Sequence, residues 1–314
     1  MPRIERLADD LVLIDTDYRG TPQAIGVYLL TGDRPALIET GPASTVETVL
    51  AGVEAAGITQ DDLQAIAVTH IHLDHAGGAG TLAQRLPHLQ VYVHPVGAPH
   101  LVDPTRLLSS ARRLYGDDLD RLFGEVVPVP GERVHVLQDG EEVRLGTRRL
   151  VALDTPGHAR HHHVYFDRAS GDLFTGDAAG VALPGSRYVR PPTPPPELDI
   201  AAWDATIRRM LALGPRRLLL THFGAQTWAD DLLVQLRRRL HEHERIVREA
   251  LAAGDSESAI VERIQRAAAE EVTASDGPVS ADRFEVIMAT RQSVQGLIRY
   301  AKLHPAQAAR DGGT

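Results

Sequence analysis

Residues 69–75, THIHLDH, place three histidines and an aspartate within a single turn of chain. They follow a short apolar run, AIAV (65–68), and precede Gly77, Gly78 and Gly80. A buried strand of four or five residues delivers the side chains behind it to one point, and glycines let backbone pack close beneath them. The chain contains no cysteine. Disulfides are therefore excluded, and a metal would have to be held by imidazole and carboxylate.

The remaining sequence reads as an α/β scaffold for that turn. LVLID (11–15), IGVYLL (25–30), PALIET (35–40), AIAVT (65–69) and VYVH (91–94) have strand composition and are separated by turn signals. RVHVL (133–137), EEVRLGTRRLVALDT (141–155), HHVYFD (162–167), DLFTGD (172–177) and RRLLLTH (216–222) continue the set. Helical spacing appears over 45–57, 79–87 and from about Ala201, and an Arg- and Leu-rich insertion over 97–125 also reads as helical. After Thr227 the pattern is wholly helical, with stripes through Leu232, Leu236, Leu240, Val247 and Leu251 and through Phe284, Ile287, Met288, Val294 and Ile298. Those stripes suit packing on the core or a homodimer face. We therefore expect a catalytic α/β domain over 1–225 and a helical extension over 226–314, with a frayed tail at 306–314.

Bulk properties narrow the partners. A net charge of −9 without a long basic run argues against nucleic acid. No stretch approaches a membrane span and the first residues lack a signal-peptide core, so a cytoplasmic location and a small-molecule substrate are expected.

Three more strand ends carry metal-binding side chains: His158 in DTPGH, Asp177 in LFTGD and His222 in LLLTH. Loops at strand ends are where a rigid sheet holds distant residues in fixed relation. The order His-x-His-x-Asp-His, Pro-Gly-His, Gly-Asp, Thr-His resembles the metallo-β-lactamase-fold hydrolase superfamily, with metal motifs like those of glyoxalase II, over residues 10–225. That resemblance implies a four-layer αββα sandwich. It also implies two divalent metal ions, zinc foremost, with iron and manganese as alternatives. His70, His72 and His158 would hold one ion and Asp74, His75 and His222 the other, with Asp177 bridging. A hydroxide held between the metals would attack the substrate, and Asp74 would both bind metal and orient that hydroxide.

The family hosts many reactions, so the motifs leave the chemistry open. The leading expectation is hydrolysis of a small ester or thioester. One alternative is a persulfide-dioxygenase-like enzyme holding a single iron on His70, His158 and Asp177. Another is a non-catalytic effector that retains the metals. Two departures stand out: Glu39 occupies a position where the family usually has aspartate, and Gly180 one where homoserine-lactone hydrolases usually have tyrosine. The basic glutathione-binding signature of glyoxalase II is not found near the C-terminus.

Among the other polar residues, neighbouring strand residues face opposite ways, so at most one of His161, His162 and His163 supports a ligand, His162 being the candidate; otherwise the run is ordinary strand packing. His94 ends a strand near the site and suits either packing or support, while His241 and His243 read as a solvated helix face. Arg160, Arg187, Tyr188 and Arg190 lie in loops beside expected ligands and would suit an anionic substrate.

Overall fold

In the strand Leu11–Asp15 every residue is buried, although apolar side chains on a strand point alternately to opposite faces. Both faces must therefore be covered, and the computed structural model, which describes residues 2–274 and 281–305, shows how. Strands β1 (Arg3–Ala8), β2 (Leu11–Asp15), β3 (Gly26–Leu30), β4 (Ala36–Ile38), β5 (Ala65–Ala67), β6 (Gln90–Val93) and β7 (Val134–Val136) form one sheet in chain order. Pairing is antiparallel from β1 to β4 and parallel from β4 to β7. A second sheet has the order β13-β12-β11-β10-β9-β8, from β8 (Glu142–Leu145), β9 (Arg148–Asp154), β10 (His163–Asp167), β11 (Asp172–Gly176), β12 (Arg217–Leu220) and β13 (Gly224–Gln226).

The helices are α1 (Val46–Ala55), α2 (Leu73–Ala76), α3 (Ala79–Arg85), α4 (Ala98–Val102), α5 (Thr105–Tyr115), α6 (Leu119–Phe123), α7 (Ile200–Leu213), α8 (Ala229–Ala252), α9 (Glu257–Ala274), α10 (Ala281–Ile287) and α11 (Thr290–Leu303). Strand alternation sorts the apolar residues into three layers of core. Leu11, Leu13, Tyr28 and Ile38 meet Leu150, Ala152, Tyr165 and Phe174 between the sheets. Val12, Ile14, Val27 and Leu29 face Val49, Leu50 and Val53 of α1 and Leu82 of α3. Val151, Val164, Leu173 and Leu218 face Trp203 and Ile207 of α7 and Leu232, Leu236 and Leu240 of α8. The result is the mixed α/β sandwich, helix–sheet–sheet–helix, expected from the sequence.

Differences from the sequence reading are local. The run 141–155 is a hairpin, β8 and β9, turned at Gly146 with φ +58. Strand β1 has an exposed-to-intermediate burial pattern and shows no apolar alternation, so nothing in its composition announced it. Strand β13 spans the boundary drawn at 225, and α8 shares one apolar cluster with α7. His243 is buried at 4% exposure, where a solvated face was expected; His241 is half exposed and pairs with Asp204 at 2.9 Å. The tail at 306–314 lies outside the described residues. No helix among them is long and apolar enough to cross a membrane.

One close approach positions the site directly. Gly157 has φ +139, and a Cβ there would lie 2.3 Å from the Cβ of Trp203. Only glycine lets the chain pass against the α7 backbone at Trp203 into His158 at that distance.

Candidate metal centre

The two sheets bring their strand ends together on one edge. His70 follows β5, His158 follows β9 through the Pro156–Gly157 turn, Asp177 follows β11 and His222 lies just beyond β12. His72 is the N-cap of the four-residue α2, with extended backbone, and Asp74 and His75 fall in its only turn. That change from extended to helical chain sends His70 and His72 to one group and Asp74 and His75 to another.

The donors form two groups. His70, His72, His158 and Asp177 offer atoms within 4.8 Å of one another, as do Asp74, His75 and His222. In the first, His72 Nδ1 lies 2.9 Å from both His70 Nε2 and His158 Nε2, and His158 Nε2 lies 3.2 Å from Asp177 Oδ2. In the second, Asp177 Oδ1 is 3.4 Å from His75 Nε2 and from His222 Nε2. Asp74 Oδ2 lies 3.4 Å from His222 Nε2 and 3.7 Å from His75 Nε2. A tetrahedral ion with bonds of about 2.1 Å has donor–donor edges of about 3.4 Å. The second group matches that spacing and the first is slightly tighter. His75 Nε2, His222 Nε2 and Asp177 Oδ1 are buried without any hydrogen-bond partner. Such orphaned atoms are costly unless something fills the space between them, and a divalent cation fits this donor chemistry. Asp177, with one oxygen toward each group, is the shared member.

Outer contacts fix the rings. His158 Nδ1 donates to Pro192 O at 2.9 Å and His222 Nδ1 to Ala24 O at 2.7 Å, which leaves each Nε2 lone pair facing inward. Glu39 Oε1 lies 3.1 Å from His75 Nδ1, and the Glu39 carboxylate also accepts from the Thr69 backbone N–H and hydroxyl. The longer side chain at position 39 thus reaches the ring it must orient. Glu39→Gln keeps the shape but weakens acceptance from His75; metal affinity measured by competition with a chromophoric chelator is expected to fall about 10- to 100-fold.

His162 is also placed for support: its Nε2 accepts the Asp177 backbone N–H at 3.2 Å while Nδ1 donates to Thr155 Oγ1 at 2.8 Å. His94 is directed elsewhere, its Nε2 lying 3.4 Å from Asp154, which His163 also contacts at 2.9 Å. Asp154 therefore gathers two rings in a cluster of its own, hydrogen-bonded to His163 and close to His94.

The electrostatics divide the ligands by group. Burial, reinforced by neighbouring imidazoles, holds His70 and His72 neutral, and burial also lowers His158. Burial opposes charge on His75 and His222 too, but the carboxylates of Asp74 and Asp177 outweigh it and raise both. Burial would raise Asp74, yet His75 and His222 bring it down to about 2, and Asp177 is held well below the usual carboxylate range. The second group is thus the carboxylate-rich one and the first the imidazole-rich one.

A cavity of about 720 Å³ opens over His72, Asp74 and Asp177. Its walls are α5 and α6, the proline-rich segment 194–197 and the α10–α11 region. Tyr18 and Tyr115 line it as well. Burial and the nearby Asp74 charge raise both phenols, so they remain hydrogen-bond donors. Sequence reading missed both; the one signal near Tyr18 is a loop with left-handed backbone at Asp17, Arg19, Gly20 and Gln23.

None of Arg160, Arg187, Tyr188 and Arg190 lines this cavity. Arg160 pairs with Glu197 at 2.8 Å, and Arg187 stacks on Trp228 at 4.9 Å. Arg190 is buried against Glu285 at 3.0 Å, and Tyr188 is buried beneath the Arg239 guanidinium at 4.5 Å. Each is engaged by another protein group, so adjacency in sequence to these donors did not translate into a place on the cavity wall.

The family model described as the metallo-beta-lactamase superfamily matches residues 20–222. The chain belongs to that superfamily. A metallo-beta-lactamase fold-containing protein of Sulfurisphaera tokodaii is 29% identical over 207 residues, 65% of this chain and 74% of that protein. A hydroxyacylglutathione hydrolase of a Synechococcus strain is 32% identical over 151 residues, 48% of this chain and 47% of that protein. The chain thus spans about half the length of that hydrolase. Among solved structures, a metallo-beta-lactamase family protein from Thermus thermophilus superposes with a TM-score of 0.68 at 20% identity, over 95% of each chain. That likeness extends the shared fold through the C-terminal helices.

Proposed function

We propose that this superfamily member is a binuclear metal-dependent hydrolase of a small ester or thioester. The observation that carries the reading is the pair of convergent donor groups sharing Asp177, with His75 Nε2, His222 Nε2 and Asp177 Oδ1 of the second buried and without hydrogen-bond partners. Similarity to hydroxyacylglutathione hydrolases supports a thioester among the substrates. Two bound divalent ions, zinc foremost, would supply Lewis-acid polarisation and acidify a water from about 15.7 to roughly 7.

The protein's own groups do the rest. Asp74 is ionised and 20% exposed at the cavity floor, so it is placed to accept the proton of an attacking water. Tyr18 and Tyr115, both protonated, are placed to donate hydrogen bonds to substrate oxygen. The carbonyl-anchored His158 and His222 and the Glu39-anchored His75 keep the donor set in place during turnover. The α5–α6 wall excludes bulk water from one side.

The completeness of the second group favours two metals over a single iron on His70, His158 and Asp177. Elemental analysis of protein expressed with zinc, iron and manganese all present separates the two: two ions per chain are expected, and one iron with oxygen uptake would select the dioxygenase instead. Asp74→Ala should lower turnover of the best ester or thioester by about 100- to 10,000-fold, a far larger effect than any on folding. Unaltered turnover would reject the reading.

A further inference from the structure

The charges around the cavity are unevenly paired. Four acidic residues line it, and each already has a role. Asp74 and Asp177 belong to the donor groups; Glu197 pairs with Arg160 and His161, and Glu285 with Arg190. Four arginines also line it: Arg19, Arg106, Arg113 and Arg299. All four are exposed, and among the described residues none has a carboxylate partner. Arg113 donates only to Ser109 Oγ at 3.2 Å, and Arg299 only to Pro196 O at 3.2 Å. Neighbouring arginines behave differently: Arg112 pairs with Asp120 at 3.1 Å and Arg121 with Asp118 at 2.9 Å. A chain of net charge −9 has therefore left four guanidiniums outside any close ion pair around one opening.

These cations come from three separate elements. Arg19 sits in the left-handed loop after β2, Arg106 and Arg113 on α5, and Arg299 on α11. Between them the walls are apolar, with Leu107, Leu114 and Phe123 on one side and Ile287 and Met288 on another. A single carboxylate needs one guanidinium. A phosphate offers several charged oxygens and takes forked hydrogen bonds from more than one.

We infer that the substrate of this site is an ester or thioester joining an apolar acyl chain to a phosphorylated carrier, with the phosphates held by Arg19, Arg106, Arg113 and Arg299. The inference rests on the hydrolase reading above and names its substrate class. For a thioester, water adds its oxygen to the acyl carbon, the carbon–sulfur bond breaks, and the water's protons pass to the carboxylic acid and thiol products. No further reactant is required.

Binding is tested apart from turnover. Desulfo-coenzyme A, which carries the phosphates without a thiol, is titrated calorimetrically into metal-loaded wild type and an R106Q/R113Q variant; both positions are exposed and free of ion pairs. We expect binding to wild type, weakened at least about tenfold in the variant and again at high salt. No binding, or equal binding by both proteins, overturns the inference. Hexanoyl thioesters of coenzyme A, glutathione and N-acetylcysteamine are then compared. The variant should raise KM for the phosphorylated carrier alone, with kcat little changed. A wild-type preference for the tripeptide or neutral carrier overturns the phosphate assignment. Salt-sensitive binding of desulfo-coenzyme A without hydrolysis of any thioester supports the arginine belt and rejects the hydrolase reading instead.

Discussion

Replacing Asp177 with asparagine is expected to reduce bound metal from two ions per chain to one or none, and turnover by on the order of a thousandfold. The substitution preserves volume, so far-UV circular dichroism should be unchanged. The size of the effect follows from position. Asp177 Oδ2 stands 3.2 Å from His158 Nε2, while Oδ1 stands 3.4 Å from both His75 Nε2 and His222 Nε2. One carboxylate therefore serves both groups, and its negative charge is part of what makes each attractive to a cation. An amide offers one neutral oxygen and an NH₂ that would point hydrogens at one of the groups. Elemental analysis and single-turnover assays check the outcome; two retained ions with normal turnover would remove Asp177 from its shared role.

The largest expected loss of stability is at Trp203. Its side chain is fully buried, its Nε1 donates to Ala178 O at 2.8 Å, and its ring meets His158 edge-on at 5.7 Å between centroids. Trp203→Ala deletes a large core side chain and strands the Ala178 carbonyl, which should cost about 3–5 kcal/mol. At roughly 2–4 °C per kcal/mol for a chain of this class, the melting temperature should fall by about 10 °C. The fall should be greatest in metal-free protein, because ligands that bind only the folded state oppose it. Since the indole packs edge-on against the His158 ring, that ring should lose a wall of its packing, and metal affinity should weaken alongside stability. A variant that melts like wild type would show that the indole is not what holds α7 in its apolar cluster.

These two residues illustrate different degrees of legibility. Asp177 could be singled out because a carboxylate at the end of an apolar β-run, in order with three other such ends, has few other uses. Trp203 was legible only as a core residue of an amphipathic helix. Its contact with Gly157 joins residues 46 positions apart, and no periodicity reports that. Glu39 is intermediate: its departure from the family pattern was visible, but its reach to His75 Nδ1 and Thr69 was not.

Sequence by itself determined the alternating strands, the helix spacing and the chemical set of donors at the strand ends. Those properties are local: side-chain period follows from backbone geometry, and ligand chemistry from residue type. Tertiary structure alone decided which polar groups remain free. Arg160 and Arg190 looked available and are neutralised by Glu197 and Glu285, whereas Arg106 and Arg113, inconspicuous within a helical insertion, meet no carboxylate and border the cavity. Likewise His243 lies inside the packing of α8 although its neighbours in sequence are charged. A charge is neutralised or left open according to what distant elements bring within about 4 Å of it, and that distance is set only when the layers pack.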